Sequence, residues 1–150
     1  MKANEIKKLF RNYNYNKNRL PELELTIEYL ESKAEKITPS YSKSEGQTSL
    51  SVSSKVEENS VKVVDMLKYR DKLMYDIAMT EELMSHLKSH QRYLIKSCLI
   101  YHVSYSKVAE REHTTAKNIE RIISNAVKQL ERITEGSEKS NKLKFSEVEE

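Results

Sequence analysis

Glycine and proline are nearly absent, two of each in 150 residues, and tryptophan is missing altogether. A β-rich chain needs turn residues between its strands, so this scarcity points to an all-α protein. The single cysteine, Cys98, cannot form an internal disulfide, which fits a reducing cytoplasm. No run approaches the ~18 apolar residues of a membrane span, and the opening MKANEIKKLF lacks the apolar stretch of a secretion signal. A cytoplasmic protein without a membrane partner is therefore expected. The chain also lacks a phosphate-cradling Gly-rich loop, a paired-carboxylate motif and a nucleophile elbow, so neither catalysis nor a cofactor is expected. His86 and His90 stand four apart, but Leu87 occupies the position where a zinc-protease helix needs glutamate. His102 and His113 are scattered, and no metal site is expected.

What is present is charge: 33% of the residues are charged against 37% hydrophobic, enough apolar surface for a modest core. The net charge of +3 is unevenly spread. From His86 to Ile133 there are nine Lys and Arg against four Glu, whereas the other segments nearly cancel. Positive charge gathered in one block is the footprint of a surface that meets phosphate, although a solvated helical face has the same composition.

Along the chain, Ile6, Leu9, Phe10 and Tyr13 fall at helical spacing before the stretch NYNYNKN. Its four asparagines in seven residues disfavour helix, because each side chain can bond the local backbone instead. Pro21 suits the first turn of a second helix, carrying Leu23, Ile27, Leu30, Ala34 and Ile37 on one face. Residues 1–37 thus form an N-terminal helical segment, and the Ser-rich residues 38–56 read as a flexible linker. A long helix is predicted from about Glu57 to Lys88, with Val63 or Val64, Leu67, Met74, Ile77 or Ala78, Met84 and Leu87 on its apolar face. Arg70 and Glu81 interrupt that stripe. Residues 57–134 make up the main domain, and the acidic end, 135–150, is expected to be a disordered tail beginning near Gly136.

Within the basic block, Leu87, Leu94 or Ile95, and Cys98 mark the buried face of a helix ending near Ile100-Tyr101. Ser104 offers an N-cap for the next, which carries Tyr105, Val108 and Ala109. Were that helix to continue, apolar residues should follow near 112 and 115–116, where Glu112, Thr115 and Ala116 stand instead. Thr115 can cap a new helix whose apolar face is Ile119, Ile122 or Ile123, Ala126, Val127 and Leu130. The phase shift across Glu112-His113-Thr114-Thr115 is explained by two helices and a turn, a helix-turn-helix.

The run SYSKVAEREHTTAKNIERIISNAVKQL resembles region 4 of sigma-70-type factors at Ser104, Tyr105, Val108, Ala109, Thr115, Ile119, Ala126, Val127 and Leu130. It departs from that pattern at His113, where the family has a turn glycine, and at Thr114, where it has an apolar residue. Histidine tolerates the left-handed backbone better than most residues, so the turn is expected to survive at some cost. The layout of short helical N-terminus, Ser-rich linker, long helix and sigma-4-like module is similar to phage and prophage late-gene regulators of the RinA and ArpU type. The resemblance implies a sequence-specific activator bound to double-stranded DNA, with RNA polymerase a further candidate partner. Self-association through the N-terminal and long helices is also expected.

If the helix 115–130 enters the major groove, its exposed N-terminal positions Ala116, Lys117, Asn118, Glu120 and Arg121 face base edges, and the capping Thr115 is a further candidate DNA contact. Arg121 can grip guanine and Asn118 adenine, each through two hydrogen bonds. Lys107, Asn125, Lys128 and Arg132 sit where a helix-turn-helix touches the DNA backbone. Glu120 can accept from a cytosine amine, but it is expected to pair with Lys117 or Arg121 instead. Two alternatives stand beside the activator: a phage small terminase subunit, and an anti-sigma or polymerase-interaction protein.

Overall fold

The computed structural model describes the backbone of residues 1–37 and 47–148, and side chains for residues 1–33, 58 and 60–139. All its regular elements are helical: α1 (Ala3–Ile37), α2 (Gln47–Ser85), α3 (Ser89–Ile95) with a π-helical continuation (Lys96–Ile100), α4 (Tyr105–Arg111) and α5 (Ala116–Val148). The all-α expectation holds. No helix among the described residues is long and apolar enough to cross a membrane.

Three helix boundaries differ from the sequence reading. First, α1 runs without a break through NYNYNKN and keeps Pro21 in its interior. Two of the four asparagines face the packed side of the helix, and one of them has a partner far along the chain. Asn14 Nδ2 donates to the Ile100 carbonyl at 3.3 Å, and Asn16 is buried. Second, α2 begins at Gln47, ten residues ahead of the predicted start at 57, and ends at Ser85 rather than Lys88. Of the proposed linker, residues 38–46 lie outside the described residues, and 47–56 are helical. Third, α5 passes Gly136 and continues to Val148, where a disordered tail was expected. One glycine inside a helix costs only about 1 kcal/mol relative to alanine, and the neighbouring Glu and Lys residues are good helix formers. Thr134 Oγ1 also donates to the carbonyls of Glu131 (2.9 Å) and Met1 (3.4 Å), tying this stretch to the start of the chain.

The chain forms two compact units: Met1–Asn14 with Asp76–Glu150, and Tyr15–Tyr75. In the second unit Leu23 and Ile27 of α1 bury against Leu73 of α2, with Leu20, Met66 and Leu67 at the margin. In the first unit Ile6 and Phe10 are fully buried in one cluster with Leu87, Leu94, Val108, Ile123 and Leu130. This cluster is the platform for the region of interest. The predicted face of α2 is corrected in phase. Leu73 is buried whereas Met74 is 48% exposed, and Thr80 is buried with its hydroxyl donating to the Asp76 carbonyl at 2.7 Å. Adjacent residues differ by only about 100° around a helix, so the stripe could be drawn through either one.

The expected face of the α3 segment is found: Leu87, Leu94, Ile95 and Cys98 are all buried. At Lys96–Ile100 the helix widens, with Tyr101 N–H donating to the Lys96 carbonyl at 2.8 Å. The wide turn buries Ser97, Cys98, Leu99 and Ile100 in succession, which no regular helical face could do. Burial pushes the Cys98 thiol pKa up, as suits a core residue rather than a nucleophile.

Candidate nucleic-acid interface

Between α4 and α5 the chain reverses within Glu112–Thr115, the four residues whose polarity interrupts the apolar stripe. His113 has a φ of 55°, in the left-handed region. Its N–H donates to the Glu110 carbonyl at 3.3 Å, and the Thr114 N–H donates to the Ala109 carbonyl at 2.9 Å. That pair of bonds is the Schellman closure of a helix C-terminus, here with histidine where glycine is usual. One residue on, Thr115 Oγ1 accepts from the Asn118 N–H at 3.2 Å and caps α5. Ser104 does the same for α4, its Oγ accepting from the Lys107 N–H at 3.3 Å. His90 Nε2 lies 3.5 Å from Glu112 Oε2, so the start of α3 also touches the turn.

The buried residues fix which way each helix faces. On α4 they are Val108 and Ala109, and on α5 Ile119, Ile123, Ala126, Val127 and Leu130, as the apolar spacing foretold. The candidate site residues stand away from that face. Lys107, Thr115, Lys117, Arg121, Asn125, Lys128 and Arg132 are exposed, while Ala116 and Asn118 are half-buried. Lys117, Arg121, Asn125, Lys128 and Arg132 are spaced by four, four, three and four residues. At about 100° per residue they share a strip roughly 80° wide and about 22 Å long, on the side of α5 opposite its buried face. Among the described residues none of the cations in this strip, nor Lys107, has an acidic partner within ion-pair distance. Four of the five strip residues are thus cations held in water with no internal counter-charge.

The expected pairing of Glu120 with Lys117 or Arg121 does not form. Arg121 turns the other way, and its Nη2 donates to Asn118 Oδ1 at 2.8 Å. Asn118 Nδ2 in turn donates to Thr114 Oγ1 at 2.9 Å. Thr114 was not among the sequence-derived site residues. Asn118 and Arg121 are neighbours on α5, but Thr114 precedes the helix, so residue spacing gives no signal for it.

His86 and His90 lie beside Glu82 and Glu112 respectively, at 3.3 and 3.5 Å, and do not converge on one another. Among the described residues no group of three or more His, Cys, Asp or Glu could hold a metal ion. No family model, curated protein or solved structure matches this chain.

Proposed function

We propose that this chain is a sequence-specific regulator of transcription, an activator of phage or prophage late genes, that binds double-stranded DNA with α5 in the major groove. The observation that carries the reading is the unpaired basic strip of α5, which starts at the turn and faces away from the core. Unneutralised Lys and Arg along one helix face gain most from displacing counterions on a phosphate backbone. In this reading Ala116, Lys117 and Arg121, closest to the α5 N-terminus, face the base edges, and Thr115 holds that end in place through its cap. Lys107, Asn125, Lys128 and Arg132 face the sugar-phosphate backbone and supply affinity without sequence information. RNA polymerase contact and self-association through α1 and α2 belong to the same proposal.

Gel-shift titrations of the full chain against selected and scrambled duplexes test it. Lys128→Ala should weaken all sequences alike and lower the slope of log K against log salt by about one. Arg121→Ala should lose the preference for the selected duplex by roughly 5- to 150-fold, the range of one good base contact. Equal loss on both duplexes from Arg121→Ala would remove base reading from α5. Binding to an isolated polymerase subunit with no salt-dependent DNA binding would favour the interaction-protein alternative.

A further inference from the structure

The bonds that join Thr114, Asn118 and Arg121 run in one chemical direction. Arginine has donors only, so the Asn118 atom facing Arg121 must be the carbonyl oxygen. The amide nitrogen then has to face Thr114, whose hydroxyl oxygen accepts from it at 2.9 Å. The Asn118 amide is thereby oriented without ambiguity, its oxygen toward Arg121 and its nitrogen back toward the turn. Reading adenine requires the oxygen and nitrogen of one amide to address a base together, the oxygen accepting from N6–H and the nitrogen donating to N7. Here the two atoms are directed to opposite neighbours, Thr114 ahead of α5 and Arg121 within it, and the residue is half-buried. Arg121 is the exposed member, and only one nitrogen of its fork is engaged.

We infer that Thr114 and Asn118 are positioning residues that hold the Arg121 guanidinium ready for a guanine, so that the three side chains specify one G·C pair and Asn118 reads no base of its own. The inference rests on the DNA-binding reading above and names the base that this part of the surface selects. Its physical basis is pre-organisation. A free arginine side chain loses rotamer freedom when it docks, whereas one already tied to Asn118 Oδ1 has lost part of that freedom beforehand. The bond that ties it uses one Nη2 hydrogen and leaves the second, with those on Nη1, to meet guanine O6 and N7. Thr114 acts one step further out. Without its hydroxyl oxygen the Asn118 amide can rotate, and the acceptor facing Arg121 is no longer fixed.

The test is base-resolved selection of randomised duplexes by the full chain and four variants, read as a preference at each position. Circular dichroism and thermal melting confirm that each variant is folded. The expected pattern has Arg121→Ala erasing the preference for guanine at one position. Asn118→Ala and Thr114→Val should reduce that same preference about three- to tenfold, a partial loss of one contact, and change no other position. Thr114→Ser, which restores the hydroxyl oxygen, should recover it. A merely structural role would instead lower melting temperature and affinity evenly, and Thr114→Ser would not restore one base alone. Loss of an adenine preference at a second position in Asn118→Ala overturns the inference while leaving DNA recognition intact. An unchanged guanine preference in Thr114→Val does the same. Absence of salt-dependent binding by the unmodified chain overturns the reading underneath, a result distinct from either.

Discussion

His113 is the residue on which the turn depends. Its φ of 55° places a β-carbon where the following carbonyl crowds it, a cost of about 1–2 kcal/mol that glycine does not carry. Replacing it with glycine at a Schellman position should therefore stabilise the protein. We expect His113→Gly to gain about 1 kcal/mol and raise the melting temperature by a few degrees. His113→Val, with its branched β-carbon, should lose at least as much. A drop in melting temperature for the glycine variant would show that the imidazole contributes more than its backbone costs. The need for a turn at this residue was legible, because the apolar stripe changes phase there and histidine is among the few residues that accept this backbone. The hydrogen bonds among Thr114, Asn118 and Arg121 were not legible. They depend on how the cap sets Thr114 relative to the first turn of α5, a matter of a few degrees that residue types do not encode.

Among the elements, α1 shows how packing overrides local preference. Its asparagines and Pro21 each argue for a break, yet the helix is continuous from Ala3 to Ile37. An interior proline removes one hydrogen bond and crowds the preceding turn, at about 3 kcal/mol. Burial of Leu23 and Ile27 on one side, and of Ile6 and Phe10 nearer the start, offsets it. Pro21→Ala should accordingly raise the stability of the Tyr15–Tyr75 unit by about 1–3 kcal/mol. Urea denaturation followed by helical circular dichroism measures this. An unchanged midpoint would mean that the helix is bent enough at Pro21 to avoid the cost. The paired helices α4 and α5 were legible almost to the residue, since Ser104 and Thr115 are strong caps and their apolar faces are regular. The extent of α5 was not. A lone glycine resembles a stop signal, and only the full balance of propensities shows that the helix passes it.

At the level of the molecule, the part that carries the basic surface is assembled from both ends of the sequence. Phe10 is fully buried among side chains that include Leu87 and Leu130, although more than seventy residues separate it from the nearer of the two. No composition shift marks this, and the Ser-rich segment that looks like the main boundary lies elsewhere from the division of the chain at Asn14 and Asp76. Contacts at such sequence separation follow from shape complementarity across helices, which residue spacing does not record. Phe10→Ala should cost about 3–5 kcal/mol and weaken DNA binding through loss of fold, not through loss of contact. Thermal melting and gel shift performed together distinguish the two. Full affinity at low temperature with a lowered melting point is the expected outcome, whereas weak binding at every temperature would place Phe10 nearer the interface than its burial implies.

Helix α4 is seven residues long and stands between two left-handed residues, His102 (φ 57°) and His113 (φ 55°). An isolated helix shorter than about 12–15 residues is marginal in water, so α4 does not persist without its neighbours. Each histidine conformation is unfavourable by itself, and between them Val108 and Ala109 are buried in the core. Neither corner can form part-way at a profit, and α4 has no frayed intermediate to occupy. The turn that introduces α5 is consequently all-or-none: it is either fully set or absent, and heating should abolish recognition in one cooperative step instead of by gradual loosening.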